Sequence, residues 1–335
     1  MTLYLHIGLR KTGTTSLQKI LHQNAEIIRA HGINYVSRVA GLPVEEENAH
    51  HFLAHGLLNK RHRYTPKVDF SELDAHASAL RDEICSVEGV NVISSEDFSR
   101  LEDYSVFKLA EYFSGVDVKI LIYLRRQDAW IDSLYGQMLK VGRDLSIDQL
   151  IDFEERSIDI PKFLLPWENA FGSENIIIRI YEGEAKNNIW EDFCSAVGVD
   201  SAKGCVEKMP IANKSLSYQS TKFLNLLGDA EANKSLRPIF ENMEMEMPNS
   251  QELKFLDNEK AISIMARYEI SNNKIANKYL GREKLFLEDA PLPVRGNANI
   301  TIEEFAQTAG LIMARLANRV VMLEKKVHGL RKRKG

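Results

Sequence analysis

The chain has 335 residues, of which 44% are hydrophobic and 27% charged, a composition typical of a globular protein with a sizeable core. Its formal net charge of −4 gives no indication of a polyanionic partner, so nucleic acid is not expected as a ligand. No window approaches the roughly 20 apolar residues of a membrane-spanning helix, and the three cysteines lack metal-site spacing, which favours free thiols in a cytosolic protein.

Short apolar segments alternate with helical patterns along the first half of the chain. Segments of this kind, separated by helices, are typical of a parallel sheet covered on both faces. The sequence therefore predicts a three-layer α/β fold with a central parallel sheet. The predicted strands are LYLHIG (3–8), INYV (33–36), VNVISS (90–95), KILIYLR (119–125) and NIIIRIY (175–181).

A glycine-rich loop, GLRKTGTT, follows the first predicted strand. Gly8 and Gly13 have the spacing of the two glycines in a nucleotide-binding P-loop, but Thr14 stands where that loop has lysine, and Lys11 comes earlier. Glycines allow a ligand close to the backbone, and the N-terminus of a following helix attracts negative charge. The loop therefore predicts an anion-binding cradle.

The segment after the loop has the periodicity of one amphipathic helix. Leu17, Ile20, Leu21 and Ile28 recur at helical spacing, and Gly32 is a suitable C-terminal stop. We expect the cradle to lie at the N-terminus of this helix.

A second motif begins where the strand KILIYLR ends. Arg125 ends that strand, and Ser133 follows eight residues later in a predicted helix. A guanidinium and a hydroxyl placed in this way can bind one phosphate from two sides. Alone, the pair is a weak signal, because surface arginines and helical serines are common.

Together, KTGTTS and the later Arg-x7-Ser pattern resemble the sulfotransferases that use 3′-phosphoadenosine 5′-phosphosulfate (PAPS). The resemblance covers most of residues 1–286 and is loose outside the two motifs. Three further segments look like bacterial members that act on surface glycans: RIYEGEAKNNIWEDFCSAVGVD (179–200), NKSLS (213–217) and NNKIANKYLGREKLF (272–286).

The resemblance implies a P-loop-like fold, PAPS as co-substrate with PAP as product, and no metal. It also implies that Lys11 contacts the 5′-phosphosulfate and its bridging oxygen, and that Arg125 and Ser133 bind the 3′-phosphate. The residues implied in the first loop are Arg10, Lys11, Thr12, Gly13, Thr14, Thr15 and Ser16.

Transfer to a hydroxyl acceptor benefits from a base, and Glu96 in VISSEDFSRL is the first candidate. It follows a predicted strand on the sheet edge where ligands bind, and it resembles in position the His or Glu base of the family. The alternative is an exposed glutamate at the start of the next helix, with Ser94 or Ser95 beginning the turn. Both interpretations stay open.

His51 is the alternative base, because some carbohydrate sulfotransferases use histidine. His51 and His55 in ENAHHFLAHGLL are four residues apart and share a helix face, a spacing that suits a metal. No His-Glu-x-x-His pattern or third ligand accompanies them. Packing of both histidines at the rim of the core is therefore favoured over a metal site.

The second half of the chain is predicted to be mostly helical. We expect one sulfotransferase-like domain at 1–288, with a sheet core at about 1–182 and a helical part at about 184–286, then a linker at 289–300. Residues 301–335 predict an amphipathic helix with a basic end. That helix either packs on its own domain, forms a homodimer, or binds anionic lipid at the inner membrane face.

The leading hypothesis is a cytoplasmic, metal-independent sulfotransferase acting on a glycan, a glycolipid or a small hydroxylated metabolite. The basic segment NKRHRYTPK (59–67) either meets an acidic acceptor or is a solvated loop. One alternative is a P-loop kinase or NTPase, which would need Mg-ATP and an acidic side chain at a strand end. Another is a non-catalytic protein that binds PAP for assembly.

Overall fold

A computed structural model describes residues 1–36, 38–39, 42–43, 48–59, 72–140, 143, 145–206, 218–227, 236, 239–240, 254–287 and 302–332. The segments 60–67 and 213–217 and the predicted linker 289–300 lie outside the described residues. The chain divides into two compact units. The first comprises Met1–Trp130, Phe153–Ala212 and Met265–Asp289, and the second Ile131–Asp152, Asn213–Ile264 and Ala290–Gly335.

The first unit contains a five-stranded parallel sheet, which confirms the predicted α/β fold. The strands are β1 (Thr2–His6), β2 (Ile33–Tyr35), β3 (Arg38–Val39), β4 (Leu42–Pro43), β5 (Val90–Ser94), β6 (Asp117–Leu124) and β7 (Ile176–Ile180). The sheet has the strand order β2-β5-β1-β6-β7, so the strand before the glycine-rich loop is central. Two short strands, β3 and β4, form a separate antiparallel pair.

Helices occupy most of the remaining described chain. The α-helices are α1 (Thr14–Gln23), α2 (Ala25–Ala30), α3 (His51–Leu57), α4 (Leu73–Ser86), α5 (Asp103–Tyr112), α6 (Gln127–Lys140), α7 (Ile147–Phe153), α8 (Glu155–Ile158), α9 (Ile160–Phe171), α10 (Gly183–Asn187), α11 (Ile189–Ala196), α12 (Tyr218–Leu227), α13 (Asn258–Ile275) and α14 (Ile302–Lys332). Short 3₁₀ helices lie at Glu96–Arg100, Ser173–Asn175 and Asp200–Ala202, and a π-helix at Ala276–Leu280.

Strand β6 shows how the sheet is covered on both faces. Ile120 and Ile122 pack into one core with side chains from α4, α5 and α9. Leu121 and Tyr123 point to the opposite face and pack with α1 and α11. Side chains alternate along a strand, so a strand buried on both faces is apolar throughout. The sheet and its two helical layers confirm the three-layer arrangement.

The helix predicted after the glycine-rich loop is divided in two at Asn24. The backbone of Asn24 is non-helical, with φ −112° and ψ 19°. Its backbone N–H and its side-chain amide both donate to the carbonyl of Ile20, at 3.1 Å and 2.9 Å. Helix α1 therefore ends at Gln23, and α2 starts at Ala25.

The second unit has a small core of its own, in which Ile312 on α14 packs with Leu224 and Phe240. Farther along α14, the side chains of Val320–Leu323 are exposed. The domain bounds, the homodimer and the role of the basic end remain predictions. Among the described residues, no helix is both long and apolar enough to cross a bilayer.

Candidate functional site

The candidate site lies at the carboxyl edge of the sheet in the first unit. In the parallel register, His6 at the end of β1 is opposite Ser94 of β5 and Leu121 of β6. The segments that follow β1 and β5 therefore begin side by side, and β6 extends three residues farther, to Leu124. Open α/β sheets bind their ligands at this edge.

The loop after β1 has an unusual backbone. Gly8, Lys11 and Gly13 all have positive φ, at 66°, 69° and 79°. Lys11 is the notable case, because this conformation is unfavourable for residues with a Cβ. Thr12 is buried, and its hydroxyl donates to the carbonyl of Leu9 at 2.5 Å, so this side chain stabilises the loop itself.

The loop ends at the start of α1, where Gly13 is the N-cap and provides no side-chain hydrogen bond. The first N–H groups of a helix have no acceptor within the helix. Thr14, Thr15 and Ser16, which the sequence assigns to the cradle, form the first turn, with Thr14 buried and the other two half-buried. This end of α1 has the features of an anion site.

The second motif meets the first at the loop backbone. Arg125 Nη1 donates to the carbonyl of Lys11 at 3.1 Å, and Trp130 Nε1 donates to the carbonyl of Arg10 at 2.8 Å. Arg126, the neighbouring arginine, pairs instead with Asp128 at 3.0 Å. The fold therefore brings Arg125 to the cradle.

Two predicted ligand residues have other placements. Arg10 Nη2 lies 2.6 Å from Oε1 of the buried Glu154, so this guanidinium forms an ion pair beside the loop. Ser133 lies on α6 in the second unit. Their roles toward a phosphate remain predictions.

Glu96 follows β5 and packs against the loop. A Cβ added to Gly8 would lie 2.8 Å from Glu96 Cα, so only glycine allows this approach. Ser95 is the N-cap of the 3₁₀ helix and accepts a hydrogen bond from the Asp97 N–H at 3.2 Å. The turn therefore begins at Ser95, and the candidate base stands at its first position, beside the cradle.

Gln18 contacts Glu96 and was not identified from the sequence. Its Nε2 donates to Glu96 Oε2 at 2.9 Å. One signal was present, since Thr14, Gln18 and Leu21 share a face of α1 and Gln18 is a polar residue on that buried face. A buried polar side chain needs partners, which periodicity alone cannot identify.

His51 lies beside Glu96 in a buried hydrogen-bonded cluster. His51 Nε2 is 3.9 Å from Glu96 Oε2, and His51 Nδ1 is 2.8 Å from the Ser95 hydroxyl. The two candidate bases identified from the sequence are therefore neighbours.

The expectation that His51 and His55 lack a third potential ligand is wrong. Asp97 Oδ2 lies 2.8 Å from His55 Nε2 and 3.6 Å from His51 Nδ1, although 42 residues separate His55 from Asp97 in sequence. The three side chains could in principle hold a metal ion. Because His55 already forms a hydrogen bond with Asp97, we interpret the group as a hydrogen-bonded cluster.

Charges around Asp97 stabilise its ionised form. Burial alone raises the pKa of Asp97, but the hydrogen bond from His55 and the charges of His51, His55 and Arg100 outweigh burial and hold the pKa below its usual range. Two other histidines near the strand ends behave differently, because burial lowers the pKa of His6 and of His50 to about 4. Both are therefore neutral at pH 7.

No family model matches the chain. An uncharacterised protein of Archaeoglobus fulgidus is 30% identical over 203 residues, which cover 58% of this chain and 55% of the relative. The chain thus spans about half the length of this relative.

A crystal structure of a sulfotransferase from Alicyclobacillus acidocaldarius is similar at 16% identity. The match covers 71% of this chain and 91% of that chain, with a TM-score of 0.38. At this TM-score, no function can be transferred from one chain to the other.

Proposed function

We propose that the chain is a sulfotransferase that moves the sulfuryl group of PAPS to a hydroxyl acceptor. The observation that carries the proposal is the hydrogen bond from Arg125 Nη1 to the Lys11 carbonyl, at 3.1 Å. It joins the two motifs that resemble the PAPS-dependent family. Glu96, the candidate base, packs against the same loop.

The proposed binding roles follow from charge and position. Lys11, the hydroxyls of Thr15 and Ser16 and the N-terminus of α1 bind the 5′-phosphosulfate, because all present positive or donor groups to an anion. Arg125 binds the 3′-phosphate that distinguishes PAPS from ATP. The positive φ values at Gly8 and Gly13 fit a loop that must approach a ligand with its backbone.

The proposed chemistry is one in-line displacement at sulfur. A bond forms from the acceptor oxygen to sulfur while the bond from sulfur to the bridging oxygen breaks, and the electron pair stays on the 5′-phosphate of PAP. Lys11 and the α1 N-terminus stabilise that developing charge. Glu96 accepts the proton of the acceptor hydroxyl.

Three acceptor classes fit the proposal: a glycan, a glycolipid and a small hydroxylated metabolite. The glycan class rests on the resemblance of the segments 179–200, 213–217 and 272–286 to bacterial sulfotransferases that act on surface glycans. The acceptor can therefore be sought by testing one example of each class with PAPS.

Thermal unfolding with PAP, with ATP and with ATP plus Mg²⁺ tests the cofactor class. A ligand at 100 times its dissociation constant stabilises a fold by about 2.7 kcal/mol, which is a readable shift. We expect a shift with PAP that needs no Mg²⁺. A shift with Mg-ATP alone would mean that the chain is a kinase or NTPase, and binding of PAP without turnover would favour a non-catalytic role.

A further inference from the structure

Gln18 on α1 forms one hydrogen bond with the candidate base, Glu96, and a second with Ser94. Its side-chain amide nitrogen lies 2.9 Å from Glu96 Oε2 and 3.2 Å from the Ser94 hydroxyl. Gln18 is only 2% exposed. Both N–H groups of the amide are therefore used inside the protein, across 76 and 78 residues of sequence.

The chemistry of the partners fixes the orientation of this amide. An ionised carboxylate only accepts hydrogen bonds, so Gln18 must present its NH₂ group and not its carbonyl to Glu96. Ser94 supports the same orientation, because its hydroxyl accepts from Gln18 and lies 2.8 Å from His6 Nδ1. The buried hydroxyl of Ser94 therefore also binds the amide NH₂ group of Gln18.

Gln18 is also tied to the cradle by its place in the helix. It lies four residues, about one helical turn, after Thr14, the first residue of α1. Gln18 and Thr14 therefore lie on the same buried face of α1. Glu96 in turn packs against Gly8 of the same loop through its Cα and Cβ.

We infer that Gln18 is a positioning residue that fixes one carboxylate oxygen of Glu96 and leaves the other oxygen for the acceptor hydroxyl. This inference rests on the proposed function. Gln18 touches neither donor nor acceptor in this scheme. It acts by holding the base at a set distance from the cradle.

The first test is Gln18→Leu, which keeps the approximate size of the side chain and removes both donors. Release of PAP from PAPS, with water and a panel of monosaccharides as acceptors, should fall roughly tenfold to a hundredfold, the value of a hydrogen bond to a charged group. KM for PAPS and the thermal shift with PAP should stay unchanged. If the leucine variant folds poorly, Gln18→Glu, which keeps the shape of the side chain, is the second variant. It should likewise lower PAP release while KM for PAPS and the thermal shift with PAP stay unchanged.

Asn34→Ala is the matched control. It removes another buried amide, whose Nδ2 donates to Asn91 Oδ1 at 2.8 Å between β2 and β5. The variant should lose stability but keep its turnover when it is assayed well below its unfolding temperature. Equal turnover losses in the control and in Gln18→Leu would overturn the inference.

A double-mutant cycle separates positioning from a general structural effect. If Gln18 acts through Glu96, then Gln18→Leu should cause little further loss in a Glu96→Gln background. If Gln18→Leu lowers turnover by the same factor in the wild-type and in the Glu96→Gln background, the inference is overturned. A reduced thermal shift with PAP in the single variant Gln18→Leu overturns it as well.

The wild-type protein shows separately whether the proposed function fails. A wild type without a PAP shift, or one that binds PAP but releases none from PAPS, contradicts the proposed function before any variant is made. If the wild type binds PAP and releases PAP from PAPS, but the effects of Gln18→Leu and Glu96→Gln on turnover are additive, only the role of Gln18 is contradicted.

Discussion

At the scale of single residues, Lys11 combines an unfavourable backbone with a proposed catalytic charge. Its φ of 69° lies in the left-handed region, and its carbonyl accepts a hydrogen bond from Arg125. A residue with a Cβ costs about 1 kcal/mol or more in this conformation, whereas glycine adopts it readily. The conformation is therefore retained at a cost to stability, as is common at ligand sites.

Two substitutions of Lys11 separate its charge from its backbone. Lys11→Ala and Lys11→Gly should both abolish transfer and weaken PAP binding, because both remove the ammonium group. Lys11→Gly should be more stable than Lys11→Ala by about 1 kcal/mol, since glycine relieves the strain. Urea unfolding and PAP thermal shifts measure the two effects. Lys19→Ala, on the following helix, is the control, and wild-type turnover in Lys11→Ala would contradict the loop assignment.

Glu96 and His51 can be distinguished by removing the proton-accepting group of each without changing its shape much. Glu96→Gln should lower turnover by on the order of 10² or more while PAP affinity is kept, because a glutamine cannot accept the proton. His51→Gln should have the smaller effect, since the His51 side chain is only 2% exposed whereas that of Glu96 is 21% exposed. Steady-state rates and PAP titrations make the comparison. The reverse order of effects would identify the imidazole as the base.

At the scale of elements, the sequence predicted the strands well and the first helix less well. The buried parallel strands are rich in apolar and β-branched residues, a signal that does not depend on distant residues. Strand β6, for example, was predicted at 119–125 and spans Asp117–Leu124. The first helix is divided at Asn24, whose side chain donates to the carbonyl of Ile20. Apolar periodicity continues through this break and cannot reveal it.

The contact between the loop and β5 is an element-scale feature that Gly8→Ala tests. The added methyl group would approach Glu96 Cα to 2.8 Å, at a φ of 66°. Gly32→Ala is a close control, because Gly32 has φ 87° and open space around it. Both variants carry the strain of a positive φ, on the order of 1 kcal/mol.

We expect Gly8→Ala to lose more stability than Gly32→Ala and to lose turnover as well, since Glu96 must move away from the cradle. Thermal unfolding and PAP release from PAPS are the measurements. Equal stability losses in the two variants, with turnover kept in Gly8→Ala, would show that the approach of Glu96 to the loop is not needed.

At the scale of the whole molecule, the site depends on contacts that a single sequence does not contain. Lys11 and Arg125 were found because each belongs to a local motif. Gln18 and the contact of Asp97 with His55 were not, because they appear only when α1, α3 and the end of β5 come together. Local motifs therefore predict the groups that meet the ligand, and the fold determines the residues that support them.

The buried histidines give the whole fold a dependence on pH that follows from the same packing. In an unfolded chain, histidine has a pKa near 6.5. Burial lowers the pKa of His6 and of His50 to about 4 in the folded protein. Between these values the unfolded state binds more protons than the folded state, so stability is full above about pH 6.5 and falls as the pH is lowered toward 4.

Between pH 7 and pH 5, each histidine should reduce the free energy of unfolding by about 2 kcal/mol. The double variant His6→Gln/His50→Gln should lose most of this dependence, because neither glutamine takes up a proton. Urea unfolding at the two pH values measures it, and His31→Gln, at an exposed position, should behave as wild type. If the double variant kept the full dependence, the acid sensitivity would have to come from other groups. Asp97 is not one of them in this range, because a carboxyl group whose pKa is lowered by folding loses its contribution only as the pH falls below about 4.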